Sequence, residues 1–154
     1  MVRQKGTTRG CRSAAPLVSY GRKGVCIVIR VFLLDNNRLF LEGLVFLLEK
    51  REDIKVVGVA TKARNVLRSI ERTSPDVVIM DFVLPDANGA HLVQEIRRRW
   101  KHIRVVILSL YDNQDFQEEA KKSGAFAYLV KGGPIEELLS TLYAAYENGR
   151  RDRL

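Results

Sequence analysis

The sequence predicts an α/β domain in which five parallel strands alternate with five helices that cover both faces of the sheet. Three observations carry this. From about residue 29, short β-rich apolar runs alternate with stretches whose apolar residues recur at helical spacing. The strand runs are continuous rather than alternating, as expected for strands buried on both faces. The chain has 154 residues, 46% hydrophobic and 29% charged, enough for one core and too short for two ordinary domains.

The elements follow in order. Ile29–Leu34 is apolar and β-branched, a first strand. Leu39, Phe40, Leu44, Leu47 and Leu48 then mark a helix over 38–50. Residues 56–60 form a second strand, after which Thr61 is placed to cap a helix with Ala63, Val66, Leu67 and Ile70 on its inner face. Pro75 punctuates, and residues 77–80 make a third strand. Residues 85–89 are a turn cluster, and Leu92, Val93, Ile96 and Trp100 define the third helix. Residues 104–108 are strand four, 112–123 a polar helix anchored by Phe116 and Ala120, and Gly124 its stop. Residues 125–130 are strand five. Pro134 opens a last helix whose inner face is Ile135, Leu138, Leu139, Leu142 and Ala145. Such a βα alternation folds by right-handed crossovers into a doubly wound sheet.

The net charge of +8 suggests a nucleic-acid binder until it is divided along the chain. Residues 1–30 hold seven Lys/Arg and no acid, which leaves 19 Lys/Arg against 18 Asp/Glu for the rest. The basic excess belongs to a tail, and no direct DNA binding is expected from the folded part. Residues 1–28 are expected to be a disordered basic extension, 29–149 the domain, and 150–154 a short basic tail. Arg97, Arg98, Arg99 and Lys101 complement the dipole at the end of helix three. His91 and His102 lack partners at metal spacing. Two cysteines, Cys11 and Cys26, exclude a disulfide framework and suit a reducing cytoplasm. The apolar run at 25–34 is about half what a membrane span needs, so no membrane partner is expected.

Working sites of open α/β sheets lie beyond the carboxyl ends of the strands. Those ends carry Asp35 and Asn36, Asp81, Ser109 and Lys131. No glycine-rich phosphate loop follows strand one. The oxygen ligands suit a hard cation such as Mg²⁺, the lysine and hydroxyl suit phosphoryl oxygens, and a central carboxylate can accept a phosphoryl group.

At VFLLDNNRLFLEGL, PDVVIMDFVLPDANG, VVILSLY and GAFAYLVKGG the sequence resembles the receiver domain of bacterial two-component response regulators, spanning about residues 29–149. REDIKVVGVA and the Lys-Gly-Gly-Pro after strand five are most similar to the NarL/FixJ branch. The resemblance implies a flavodoxin-like sheet of order 2-1-3-4-5. It implies Asp81 as phosphoacceptor, with Mg²⁺ held by Asp35, Asp81 and the Val83 backbone carbonyl. Ser109 and Lys131 would contact the phosphoryl group, and Ser109 and Tyr128 would form the switch. The implied partners are a sensor histidine kinase or phosphotransfer protein, with a second copy or a downstream protein as further candidates, in the cytoplasm. The 23 residues after Lys131 are too few for the branch's helix-turn-helix, so the chain is expected to lack that output domain, whether as a free-standing receiver or a truncated regulator.

One departure concerns the metal. The family carries a second acid where this chain has Asn36, so Mg²⁺ binding is expected to be weakened. A degenerate receiver that binds a partner without phosphorylation is therefore the alternative. A phosphohydrolase would need an acid two residues after Asp81, where Val83 stands. The expectation is thus a module that accepts a phosphoryl group on itself and turns over no substrate. Val83 and Tyr111 flank the phosphoryl position and are expected to exclude hydrolytic water.

Overall fold

The computed structural model describes residues 27–153; most of the basic extension and both cysteines lie outside the described residues. The elements are β1 (Ile29–Leu34), α1 (Arg38–Leu48), β2 (Ile54–Ala60), α2 (Val66–Thr73), β3 (Val77–Met80), β4 (Val83–Leu84), β5 (Ala87–Asn88), α3 (Gly89–Arg99), β6 (Arg104–Ser109), α4 (Gln114–Ser123), β7 (Ala127–Val130) and α5 (Ile135–Arg150). The main sheet is wholly parallel in the order β2-β1-β3-β6-β7, the expected 2-1-3-4-5. β4 and β5 form a separate antiparallel hairpin around Pro85-Asp86, inside the turn cluster.

Alternation along each strand sends successive side chains to opposite faces. Val31, Leu33, Val77, Ile79 and Val106 pack with Leu41, Leu44 and Leu48 of α1 and Leu138, Leu142 and Ala145 of α5. Phe32, Leu34, Val78, Met80, Val105 and Ile107 pack with α2, α3 and Ala120 of α4. The sheet is therefore covered on both sides, which is why its central strands read as unbroken apolar runs.

Local chemistry sets the helix ends. Asn37, Asn88 and Asn113 cap α1, α3 and α4, each side chain accepting from the backbone N–H three residues on. Gly124 ends α4 at φ 107°, a left-handed conformation that glycine adopts without a Cβ clash. Gly89 starts α3 against the loop that follows β3, where a Cβ would lie 2.2 Å from the Phe82 carbonyl oxygen. The expectation for Thr61 is corrected. α2 begins only at Val66, after Asn65 in a left-handed conformation with no side-chain cap. Asp86 instead accepts from the Ala63 and Arg64 N–H groups, both at 3.2 Å, so a residue from the β4–β5 turn satisfies the donors ahead of α2. Pro134 stands at the cap position of α5 rather than in its first turn.

At the amino end of the sheet, buried Asp76 accepts the Arg30 N–H at 2.8 Å and pairs with Arg153. Buried Arg104 reaches Asn148 Oδ1 at 2.6 Å and Asp152 Oδ2 at 2.5 Å. The expected basic tail is thus partly ordered, with residues 151–153 forming a 3₁₀ turn fastened to the sheet.

Candidate functional site

Four of the five strand ends of the main sheet deliver one candidate group each to the carboxyl edge. Asp35 follows β1, Asp81 follows β3, Ser109 closes β6 and Lys131 follows β7. Backbone bonds between neighbouring strand ends hold them: Asp81 N–H to Leu34 O at 3.0 Å, and Lys131 N–H to Ser109 O at 2.7 Å. Asp35 is 3% exposed, Asp81 8% and Ser109 fully buried, so the carboxylates are withdrawn from water.

Their counterion is Lys131. Its ammonium lies 2.5 Å from Asp35 Oδ2 and 3.3 Å from Asp81 Oδ2, with its side chain only 7% exposed. The remaining oxygens bind local backbone, Asp35 Oδ1 taking the Asn37 N–H at 2.8 Å and Asp81 Oδ1 the Val83 N–H at 3.1 Å. These short turns aim both carboxylates inward and leave the capping of α1 to Asn37 rather than Asp35. Two carboxylates and one ammonium leave the cluster one negative charge. Asn36 is exposed beside it.

Ser109 and Tyr128 meet through a third residue. Ser109 Oγ accepts the Tyr111 N–H at 3.2 Å, and the Tyr128 hydroxyl donates to the Tyr111 carbonyl at 2.6 Å. The Tyr128 ring is half-buried and stands edge-on to Phe82, next in the chain to Asp81. Tyr111, 51% exposed, and Val83, 42% exposed, present apolar surface at this edge. One contact went unread in the sequence: the Lys131 ammonium sits 4.4 Å from the centroid of the Phe40 ring. Phe40 fits the core periodicity of α1, and only its position five residues after Asp35 hinted at the site. His91 is exposed and His102 half-buried, and no group of three or more His, Cys, Asp or Glu fit to hold a metal occurs among the described residues.

A five-stranded parallel sheet with two acids, a hydroxyl and a lysine at its carboxyl edge is the arrangement of a receiver-type domain. The chain belongs to the response regulator receiver domain family, which it matches over residues 31–143. Among its relatives it is 33% identical over 115 residues to the transcriptional regulatory protein YvfU of Bacillus subtilis, a match covering 75% of this chain and 58% of that one. It is 33% identical over 104 residues to the DNA-binding transcriptional activator DevR/DosR of Mycobacterium tuberculosis, covering 68% and 48%. A LuxR-family two-component response regulator from Aurantimonas sp. SI85-9A1 superposes with a TM-score of 0.74 at 29% identity, over 79% of this chain and 86% of that one. Similar solved structures include the receiver domain of a NarL response regulator and a LuxR-family regulator, in line with the resemblance, and the chain spans about half the length of the curated relatives it matches. Among the described residues no helix is long and apolar enough to cross a membrane.

Receivers of this family bind Mg²⁺ at an acidic pocket. The donor set here fits a hard cation. Every candidate ligand is an oxygen, and the Asp35 and Asp81 carboxylates keep lone pairs beyond those engaged by Lys131 and the backbone.

Proposed function

We propose that this chain accepts a phosphoryl group on Asp81 and thereby switches a protein-binding surface in a cytoplasmic phosphorelay. The observation that supports it is the buried cluster of Asp35, Asp81 and Lys131 at the carboxyl edge of the sheet. An Asp81 carboxylate oxygen attacks phosphorus of a phosphohistidine on a sensor kinase or phosphotransfer protein. The new O–P bond forms as the P–N bond breaks, and the electron pair leaves on the imidazole. When bound, Mg²⁺ neutralises charge on the transferring group; Asp35, Asp81, the Val83 carbonyl and, more weakly, Asn36 would hold it. Lys131 moves from the carboxylates toward the phosphoryl oxygens, which replace the negative charge that Asp81 gives up in forming the acyl phosphate.

Ser109 Oγ accepts the Tyr111 N–H and keeps its own O–H to donate to the phosphoryl group; rotating the side chain to reach that group releases the Tyr111 N–H. Because the Tyr111 carbonyl also holds the Tyr128 hydroxyl, that exchange reaches Tyr128 through a single peptide segment. This is the two-state element that phosphorylation biases. The test is intact mass after incubation with acetyl phosphate and Mg²⁺. Gain of one phosphoryl group, absent in Asp81→Asn, is the expected result. No gain from acetyl phosphate or from any phosphohistidine donor refutes it.

A further inference from the structure

Lys131 has a third partner, and it is not an oxygen. An ammonium carries three N–H donors. Asp35 and Asp81 take two directions, and with the side chain 7% exposed water is largely excluded from the third. The face of Phe40, 4.4 Å away, occupies that side. A cation over an aromatic face is attracted by the ring quadrupole, most strongly when it is desolvated. Phe40 also lines a groove with Leu44, Leu47, Leu129, Ile135 and Leu138, between α1 and α5 beside Lys131. Without the ring, this side of the ammonium would border the apolar groove, and the two carboxylates alone would hold it.

We infer that Phe40 is a positioning residue for phosphoryl acceptance, its ring confining the Lys131 ammonium to the path between the two carboxylates. Phe40 touches no reacting atom and acts through Lys131. The inference rests on the reading of Asp81 as phosphoacceptor and adds to it a residue that sets how fast the lysine meets the incoming phosphoryl group. The ring matters here for its electrons as well as its volume, which separates this role from core packing.

The experiment uses the full chain with Phe40 replaced by Leu, by Tyr and by a trifluorinated phenylalanine that keeps the ring's shape while depleting its negative face. Two readouts are taken. The first is the labelling rate with acetyl phosphate. Phe40→Tyr should label within about twofold of the parent, and Phe40→Leu and the fluorinated ring about tenfold more slowly. The second, without phosphodonor, is the ring-current shift of the Lys131 ε-methylene protons by NMR, present in the parent and Phe40→Tyr and lost in Phe40→Leu. A fluorinated variant that labels as fast as the parent overturns the inference, even if Phe40→Leu proves unstable. If the parent takes no label from acetyl phosphate or from any phosphohistidine donor, the phosphoacceptor reading fails. The ring-current shift then reports alone, and its absence in the parent overturns the contact itself.

Discussion

Replacing Lys131 by Met probes whether one buried cation holds two buried acids together. The ammonium lies 2.5 Å from Asp35 and 3.3 Å from Asp81, and the three side chains are 7%, 5% and 10% exposed, so solvent screens the cluster little. Deleting one partner of a buried pair costs about 3–5 kcal/mol, because the charge left behind is uncompensated. Met keeps the apolar stem in place beside Phe40, which puts the loss near the lower figure, about 3 kcal/mol. At an effective dielectric near 20, like charges a few ångströms apart repel by about 4 kcal/mol before relaxation. Asp81→Asn added to Lys131→Met removes that repulsion and should recover about 2 kcal/mol. Asp81→Asn alone leaves Asp35 and Lys131 as a neutral pair and should raise stability by about 1 kcal/mol. The assay is urea unfolding in Mg²⁺-free buffer, followed by fluorescence of Trp100, the only tryptophan, which packs against the core. Lys131→Met should also lower the melting temperature by roughly 6–12 °C. A loss under about 1 kcal/mol, or a double variant no more stable than Lys131→Met, would refute the view that Lys131 is the counterion of both carboxylates.

Three further outcomes are expected. Tyr143 donates to Asp53 at 2.7 Å, and burial, with Asp53 adding to it, pushes its hydroxyl up to about 12. The proton is thus held more tightly folded than unfolded, so its contribution to stability is full below pH 10 and is lost as pH rises toward 12. Tyr143→Phe should flatten this alkaline loss in pH-dependent melts, and absorbance titration at 295 nm should lose one late-titrating tyrosine. Asn36→Asp adds a third carboxylate to the proposed metal site and should tighten Mg²⁺ binding by about tenfold in calorimetry; unchanged affinity would place residue 36 away from the ion. If the exposed apolar surfaces of Val83 and Tyr111 keep water from Asp81, the phosphorylated mass should decay over minutes or longer, and a half-life of seconds would remove that role.

The order of elements was legible because each strand and helix carries its own period. Val77–Met80 was read to the residue, since four consecutive buried positions between Asp76 and Asp81 admit only a short central strand. Asp35, Asp81, Ser109 and Lys131 were legible for a related reason: a parallel sheet sends every strand end to one edge, so sequence position becomes spatial position. The failures are non-local. Thr61 looked like a cap because local sequence cannot show that Asp86, more than twenty residues away, takes the backbone donors ahead of α2. Phe40 was hidden because the same helical spacing serves the core and the contact with Lys131. The bond from Tyr128 to the Tyr111 carbonyl spans 17 residues and leaves no periodic trace.

The carboxylate of Asp76 fastens the first strand at Arg30 and the closing turn at Arg153. The domain's entrance and exit therefore share one doorway, on the side of the sheet away from Asp81. A protein segment joined at that doorway would leave the five strands and their carboxyl edge undisturbed, which makes this receiver a natural cassette for insertion into other chains. Joining residues 30 and 153 through a short linker, and opening the chain at the exposed Gly132-Gly133 turn, would by the same logic give a circular permutant that keeps its sheet.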